Sequence, residues 1–95
     1  MDRMKIEFEY DNNKSISNRE KHGIDFQEIQ MLWSDENKTV LPAKSSNIEI
    51  RYMVVGMLNK KMYSVVITFK GNKIRIISAR RSRANEIGLY KKEPE

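Results

Sequence analysis

The second half of this sequence consists of three strand-length apolar runs separated by turns too short for anything but hairpins. Ile48–Met57, Met62–Phe69 and Lys73–Ala79 are joined by Leu58-Asn59-Lys60-Lys61 and by Lys70-Gly71-Asn72. A parallel connection needs a crossover of a dozen or more residues, so these runs must be antiparallel neighbours in a meander. Tyr63, Val65, Ile67 and Phe69 give one run an apolar face, and Met53, Val55 and Met57 are expected to continue that face on the run before it. A shorter strand, Thr39–Leu41, stops at Pro42, and 43–47 reads as a polar loop.

The first half alternates between helix and strand signals. Residues 4–10 place Ile6, Phe8 and Tyr10 on one side and Lys5, Glu7 and Glu9 on the other, which is the period of a strand. Asp11 is a good N-cap for a helix running to His22, and Gly23 can end it by adopting positive φ. Ile16 is that helix's lone apolar member, so it should lie shallowly on the domain. Asp25 and Glu28 form a capping-box-like start to a second helix, in which Phe26, Ile29, Leu32 and Trp33 face the core. Asp35-Glu36, where that helix ends, reads as solvated charge. Ser82 can cap a last helix from Arg83 to Lys92 that offers Ile87, Leu89 and Tyr90 to the sheet. The expectation is one α+β domain over residues 1–95: an N-terminal strand and two short helices on one face of an antiparallel sheet, then a C-terminal helix.

Charge narrows the function. Residues 50–85 hold nine basic residues and no Asp or Glu, whereas the remainder holds nine basic and thirteen acidic residues. Lysines in turns and on sheet edges serve solubility. Arginines within a strand suit bidentate phosphate contacts, so the patch points to a polyanion or to an acidic protein. With no cysteine and one histidine, disulfides, thiolate metal sites and multi-histidine zinc sites are excluded, which leaves carboxylate-only magnesium binding open. No cofactor is expected. The N-terminus lacks an apolar signal-peptide core and no segment approaches a membrane span, so no membrane partner is expected and the cytoplasm is the default location.

Four blocks of residues resemble the BrnT family of toxins. They are Phe8-Glu9-Tyr10-Asp11; Asn18, Lys21-His22-Gly23-Ile24, Phe26 and Glu28; Arg51-Tyr52 with Gly56; and Ile74-Arg75-Ile76-Ile77-Ser78-Ala79-Arg80-Arg81. Lys14, Glu86 and Tyr90 match between them. The resemblance implies a RelE-like fold and cleavage of mRNA that restrains growth. It also implies inhibition by a BrnA-like ribbon-helix-helix antitoxin, through which the pair would bind operator DNA. Tyr10 stands where the family usually has Trp, and Gln27 where it commonly has an acid. Met1–Arg3 precede the family's usual start, which leaves Met4 as a second candidate initiator.

The residues themselves limit how such a ribonuclease can work. Cleavage through the ribose 2′-OH needs a base, cations for the phosphorane and an acid for the 5′-oxygen. One histidine excludes a two-imidazole mechanism. Lys14, Asn18 and Lys21 share one helix stripe, with His22 at its edge, where a helix C-terminus favours a cation and suits the imidazole to act as acid. Lys21, His22, Arg51, Arg75 and Arg80 are the catalytic candidates; Lys14, Asn18, Lys73, Arg81 and Arg83 are candidates for RNA binding. Alternation groups Arg75 with Ile77 and Ala79, and sends Arg80 and Arg81 to opposite faces. The plainer reading of each arginine is a salt bridge to Glu20, Glu28 or Glu86. Glu20 and Glu28 are weak base candidates. A non-catalytic module that binds nucleic acid or antitoxin is the alternative function, and a structural subunit with an acidic partner is a third.

Overall fold

Residues 6–90 are described in a computed structural model. In chain order they form β1 (Glu7–Glu9), α1 (Asn12–His22), a 3₁₀ helix (Glu28–Ser34), β2 (Thr39–Pro42), β3 (Tyr52–Leu58), β4 (Lys61–Lys70), β5 (Lys73–Arg81) and α2 (Ala84–Tyr90). Met1, Met4, Lys5, Lys91, Lys92 and Pro94, which bear on the expected start and on the ends of the first strand and last helix, lie outside the described residues.

Both hairpins form. Asn59 and Lys60 take φ of 52° and 66°, the doubly left-handed turn that matches strand twist, and Gly71 at 63° opens the second turn. The meander β3-β4-β5 is antiparallel, β2 adds antiparallel to β3, and β1 joins β5 in parallel, giving the order β1-β5-β4-β3-β2. The five-stranded sheet is therefore mixed, not antiparallel. No hairpin fixes the direction of β1, because two helices and three strands separate it from β5 in the chain.

Two corrections concern which side chains share a face. Val54 pairs with Val65 and Gly56 with Tyr63, so β3 turns Tyr52, Val54, Gly56 and Leu58 to the main core rather than Met53, Val55 and Met57. Both faces of β3 are apolar, and alternation alone does not choose between them. A Cβ at Gly56 would lie 2.6 Å from Leu32 Cδ2, so the close seating of the 3₁₀ helix requires glycine there. The second correction is in β5. Val66 faces Ser78 but Ile67 faces Ile76, which leaves Ile77 as the extra residue of a β-bulge. Past the bulge the phase reverses. Arg75, Ser78 and Arg80 share one face, opposite Thr68, Val66 and Ser64, while Ile74, Ile76 and Ala79 join the core side.

The helices also divide between the faces. Phe26, Ile29 and Leu32 pack with Val54, Val65, Ile76 and Ala79 on the core face. Ser64 lies between two core-facing residues of β4 and so points to the second face, where Glu86 of α2 accepts its hydroxyl at 2.7 Å. Under α2 on that face Val55 is fully buried.

Polar groups hold α1 in place. Asp11 caps it through the N–H groups of Asn13 and Lys14, and Gly23 closes it at φ 78°. Ile16 is 59% exposed, while Ser15 and Asn18 are buried. Ser15 Oγ accepts from the Phe26 N–H at 2.9 Å, and Asn18 Nδ2 donates to the Ile24 carbonyl at 2.8 Å. The second helix is 3₁₀. Asp25 caps the Gln27 and Glu28 N–H groups, but the Glu28 carboxylate turns out to Arg19 rather than back to the cap. Asp35 is more than solvated charge, since it accepts from the Met57 and Asn37 N–H groups and from the Tyr90 hydroxyl. Burial alone would raise its pKa. Those three hydrogen bonds, with the charge of Lys38, outweigh burial and hold the carboxyl below its ordinary value.

Candidate nucleic-acid interface

β1 ends at Glu9, opposite Arg75, so the outer edge of β5 beyond that point has no strand beside it. α1 runs along this free edge and packs against β5. Asn18 Oδ1 accepts the Ala79 N–H at 3.2 Å, satisfying a backbone donor that β1 does not reach. Between helix and strand lies a hollow of about 380 Å³ lined by Lys14, Ser17, Asn18, Lys21, His22, Ile77 and Ser78. The expected stripe of Lys14, Asn18 and Lys21 with His22 at its edge is therefore one wall, and the bulge is the other. Lys14, Lys21 and His22 are exposed, and among the described residues their side chains make no hydrogen bond or ion pair. Asn18 is buried with both ends of its amide engaged, so within this site it positions α1.

Arg75 and Arg80 flank Ser78 on the same face, each against a glutamate. Arg75 Nη1 donates to Glu9 Oε2 at 3.0 Å. Arg80 makes a fork on Glu86, at 2.9 Å and 2.7 Å, and Nη1 also donates to the Arg81 carbonyl. The Glu86 carboxylate accepts from Ser64 and the Arg83 N–H as well. Chiefly through the Arg80 hydrogen bonds, and against the opposing effect of burial, its pKa falls to about 2. The same bonds raise the pKa of Arg80.

The other candidates stand apart from the groove. Arg81 leaves β5 opposite to Arg80, as expected, and lies over the Tyr63 ring at 5.8 Å. Lys73 is exposed at the start of β5. Arg83 is exposed after β5, and its N–H caps onto Glu86. Arg51, just before β3, is held by Glu49 at 2.8 Å beside a separate hollow with Lys44, Ser45 and Ser46. Two strand spacings, about 10 Å, divide β3 from β5. Of the expected salt-bridge partners, Glu86 takes Arg80 and Glu28 takes Arg19, while Arg75 and Arg51 use glutamates not foreseen for them.

Sequence reasoning missed Ser78 and Glu9 as members of this region. The alternation of Glu7 and Glu9 shows that they share a face, but only the pairing of β1 with β5 reveals that Glu9 meets Arg75. A larger hollow of about 670 Å³ lies elsewhere, lined by Ile6, Phe8, Arg19, Asp25, Glu28 and Met31 among others, and its charges are of both signs. Among the described residues no three His, Cys, Asp or Glu side chains gather as a metal cluster would require. No helix there is long and apolar enough to cross a membrane.

Residues 10–86 match the family model described as ribonuclease toxin, BrnT, of type II toxin–antitoxin system. The matched span contains α1, the groove and all of β5, and it begins one residue after Glu9. No curated protein matches the chain.

Proposed function

Since the chain belongs to the BrnT family of type II toxin–antitoxin ribonuclease toxins, we propose that it is a cytoplasmic endoribonuclease that cleaves mRNA, without a metal ion, in the groove between α1 and β5. One observation carries this reading: Lys14, Lys21 and His22 converge on the bulge of β5 with no acid partner of their own among the described residues. Two lysines and an imidazole around a concave surface form a site for a phosphodiester.

In this reading Lys14 and Lys21 hold the phosphate and Arg75 supplies a further donor to the phosphorane. His22 gives a proton to the departing 5′-oxygen. The attacking group is the substrate's own 2′-OH, so the products carry a 2′,3′-cyclic phosphate and a 5′-OH. Arg80 acts mainly by fixing α2 and the end of β5, since three of its five N–H donors are already used within the fold. Family membership supports the RelE-like reading of the fold. It also supports neutralisation by a BrnA-like ribbon-helix-helix antitoxin that carries the complex to operator DNA.

The full chain is tested on end-labelled RNA in EDTA. Internal cleavage with cyclic-phosphate ends is expected, with 2′-deoxy substrate left intact and His22→Ala slowed by about 10²-fold or more. Cleavage that required Mg²⁺ would overturn the mechanism. The pairing of Arg51, Arg75 and Arg80 with the chain's own carboxylates favours a second reading, a non-catalytic module that binds nucleic acid or antitoxin. That reading predicts salt-sensitive RNA binding without products.

A further inference from the structure

We propose that Glu9 is the general base of this cleavage, an assignment that rests on the ribonuclease reading above. With His22 assigned to the acid and Lys14 and Lys21 to the phosphate, the base is sought among the carboxylates, several of which the fold commits elsewhere. Asp11 caps α1, Asp25 and Glu28 hold Arg19, and Glu49 holds Arg51 on the far side of β4. Glu86 is buried under donors from Arg80, Ser64 and Arg83.

Glu9 differs from all of these. It is the last residue of β1 and pairs with Arg75, whose next neighbour on the same face of β5 is Ser78, a residue that lines the α1–β5 groove. Its Oε2 accepts one N–H of Arg75 at 3.0 Å, while Oε1 has no partner among the described residues, and the side chain is 32% exposed. The 2′-OH and the phosphorus that it attacks belong to one nucleotide. A base and a phosphate-binding cation must therefore stand side by side, as this pair does.

The step balances on these groups. Glu9 Oε1 takes the 2′-OH proton as O2′ bonds to phosphorus. The P–O5′ bond then breaks, and O5′ takes its proton from His22. After the products leave, Glu9 gives its proton to solvent and His22 takes one back, which restores both groups.

The test compares full-length wild type, Glu9→Gln and Glu9→Asp in single-turnover cleavage of RNA, with affinity measured separately on a 2′-deoxy analogue. The Gln amide oxygen still accepts from Arg75. If Glu9 is the base, the Gln variant binds as tightly as wild type but cleaves about 10²–10⁴-fold more slowly, and Asp recovers part of the rate. Should the Gln variant not fold, Glu9→Asp, which withdraws the carboxylate by one methylene, is expected to lose rate and keep affinity. Cleavage by Glu9→Gln within about threefold of wild type, or equal losses of rate and affinity, would leave Glu9 as a positioning residue for Arg75 and overturn the proposal. A wild type that binds RNA without cutting it would overturn the ribonuclease reading itself, a result distinct from an active Gln variant.

Discussion

Arg75 and Arg80 stand on one face of one strand, each against a glutamate, and the two pairs are built for different work. At the α2 end, Arg80 and Glu86 meet in a fork with side chains 24% and 8% exposed, and two further donors fill the carboxylate. At the β1 end, Arg75 and Glu9 share a single bond with side chains 33% and 32% exposed, leaving the rest of both groups without a partner among the described residues. A buried, saturated pair locks elements together, and breaking it strands a charge. A half-exposed, unsaturated pair contributes little to stability and can exchange partners with a substrate. Sequence places both arginines in one run and gives them one role; their surroundings separate those roles.

The sharpest way to break this comparison is to remove each arginine and read activity and stability together. Arg75→Ala is expected to slow RNA cleavage by about 10²–10³-fold, the usual cost of losing one transition-state donor, while leaving the melting temperature close to wild type. Arg80→Ala is expected to lose activity and stability at once, because Glu86 is left buried without its cation. If Arg80→Ala melted like wild type while Arg75→Ala unfolded, the assignment of roles would be reversed.

Stability against pH sharpens the Arg80 side. The folded pKa of Glu86, about 2, lies below its ordinary 4.5, so the folded state prefers the carboxylate. Its stabilisation is full above pH 4.5 and drains away as pH falls toward 2, in total on the order of 3 kcal/mol. Glu86→Gln should therefore cost about that much at pH 7, equivalent to more than about 10 °C in Tm for a domain of this size. In chemical denaturation the variant should also lose the acid-sensitive part of the wild-type profile. An unchanged slope between pH 4.5 and 2 would show that α2 is held by other contacts.

The parts of this fold written in local chemistry were legible: the two hairpins, the Asp11 and Gly23 ends of α1, the cationic stripe, and the opposite exits of Arg80 and Arg81. The rest depends on partners distant in sequence. Ile74–Arg81 reads as unbroken alternation, and nothing within it marks Ile77 as an extra residue. Around the bulge, Ala79 is tied to Asn18, 61 residues away. Likewise β3 is apolar on both sides, so only the fit of Leu32 against Gly56 decides its inner face. Within the site the cations could be found from the helix period. Glu9 could not, because its meaning lies in a parallel pairing with a strand more than sixty residues later.

The smallest expected effect is the one that most directly separates the two pairs. Glu9→Gln should shift stability by less than about 1 kcal/mol, because an ion pair about one-third exposed gains little over solvated charges and the amide still accepts from Arg75. The comparison with Glu86→Gln is internal: arginine partners on one face of one strand, the same substitution, and about a threefold difference in free energy. Urea denaturation of both variants beside wild type checks it. Equal losses would mean that β1 depends on its ion pair as α2 does on its own, and Arg75 would then be too costly to release to a phosphate. A near-zero loss at Glu9 leaves the pair loose enough for Arg75 to turn its remaining N–H groups toward a phosphate, as the proposed chemistry asks of it.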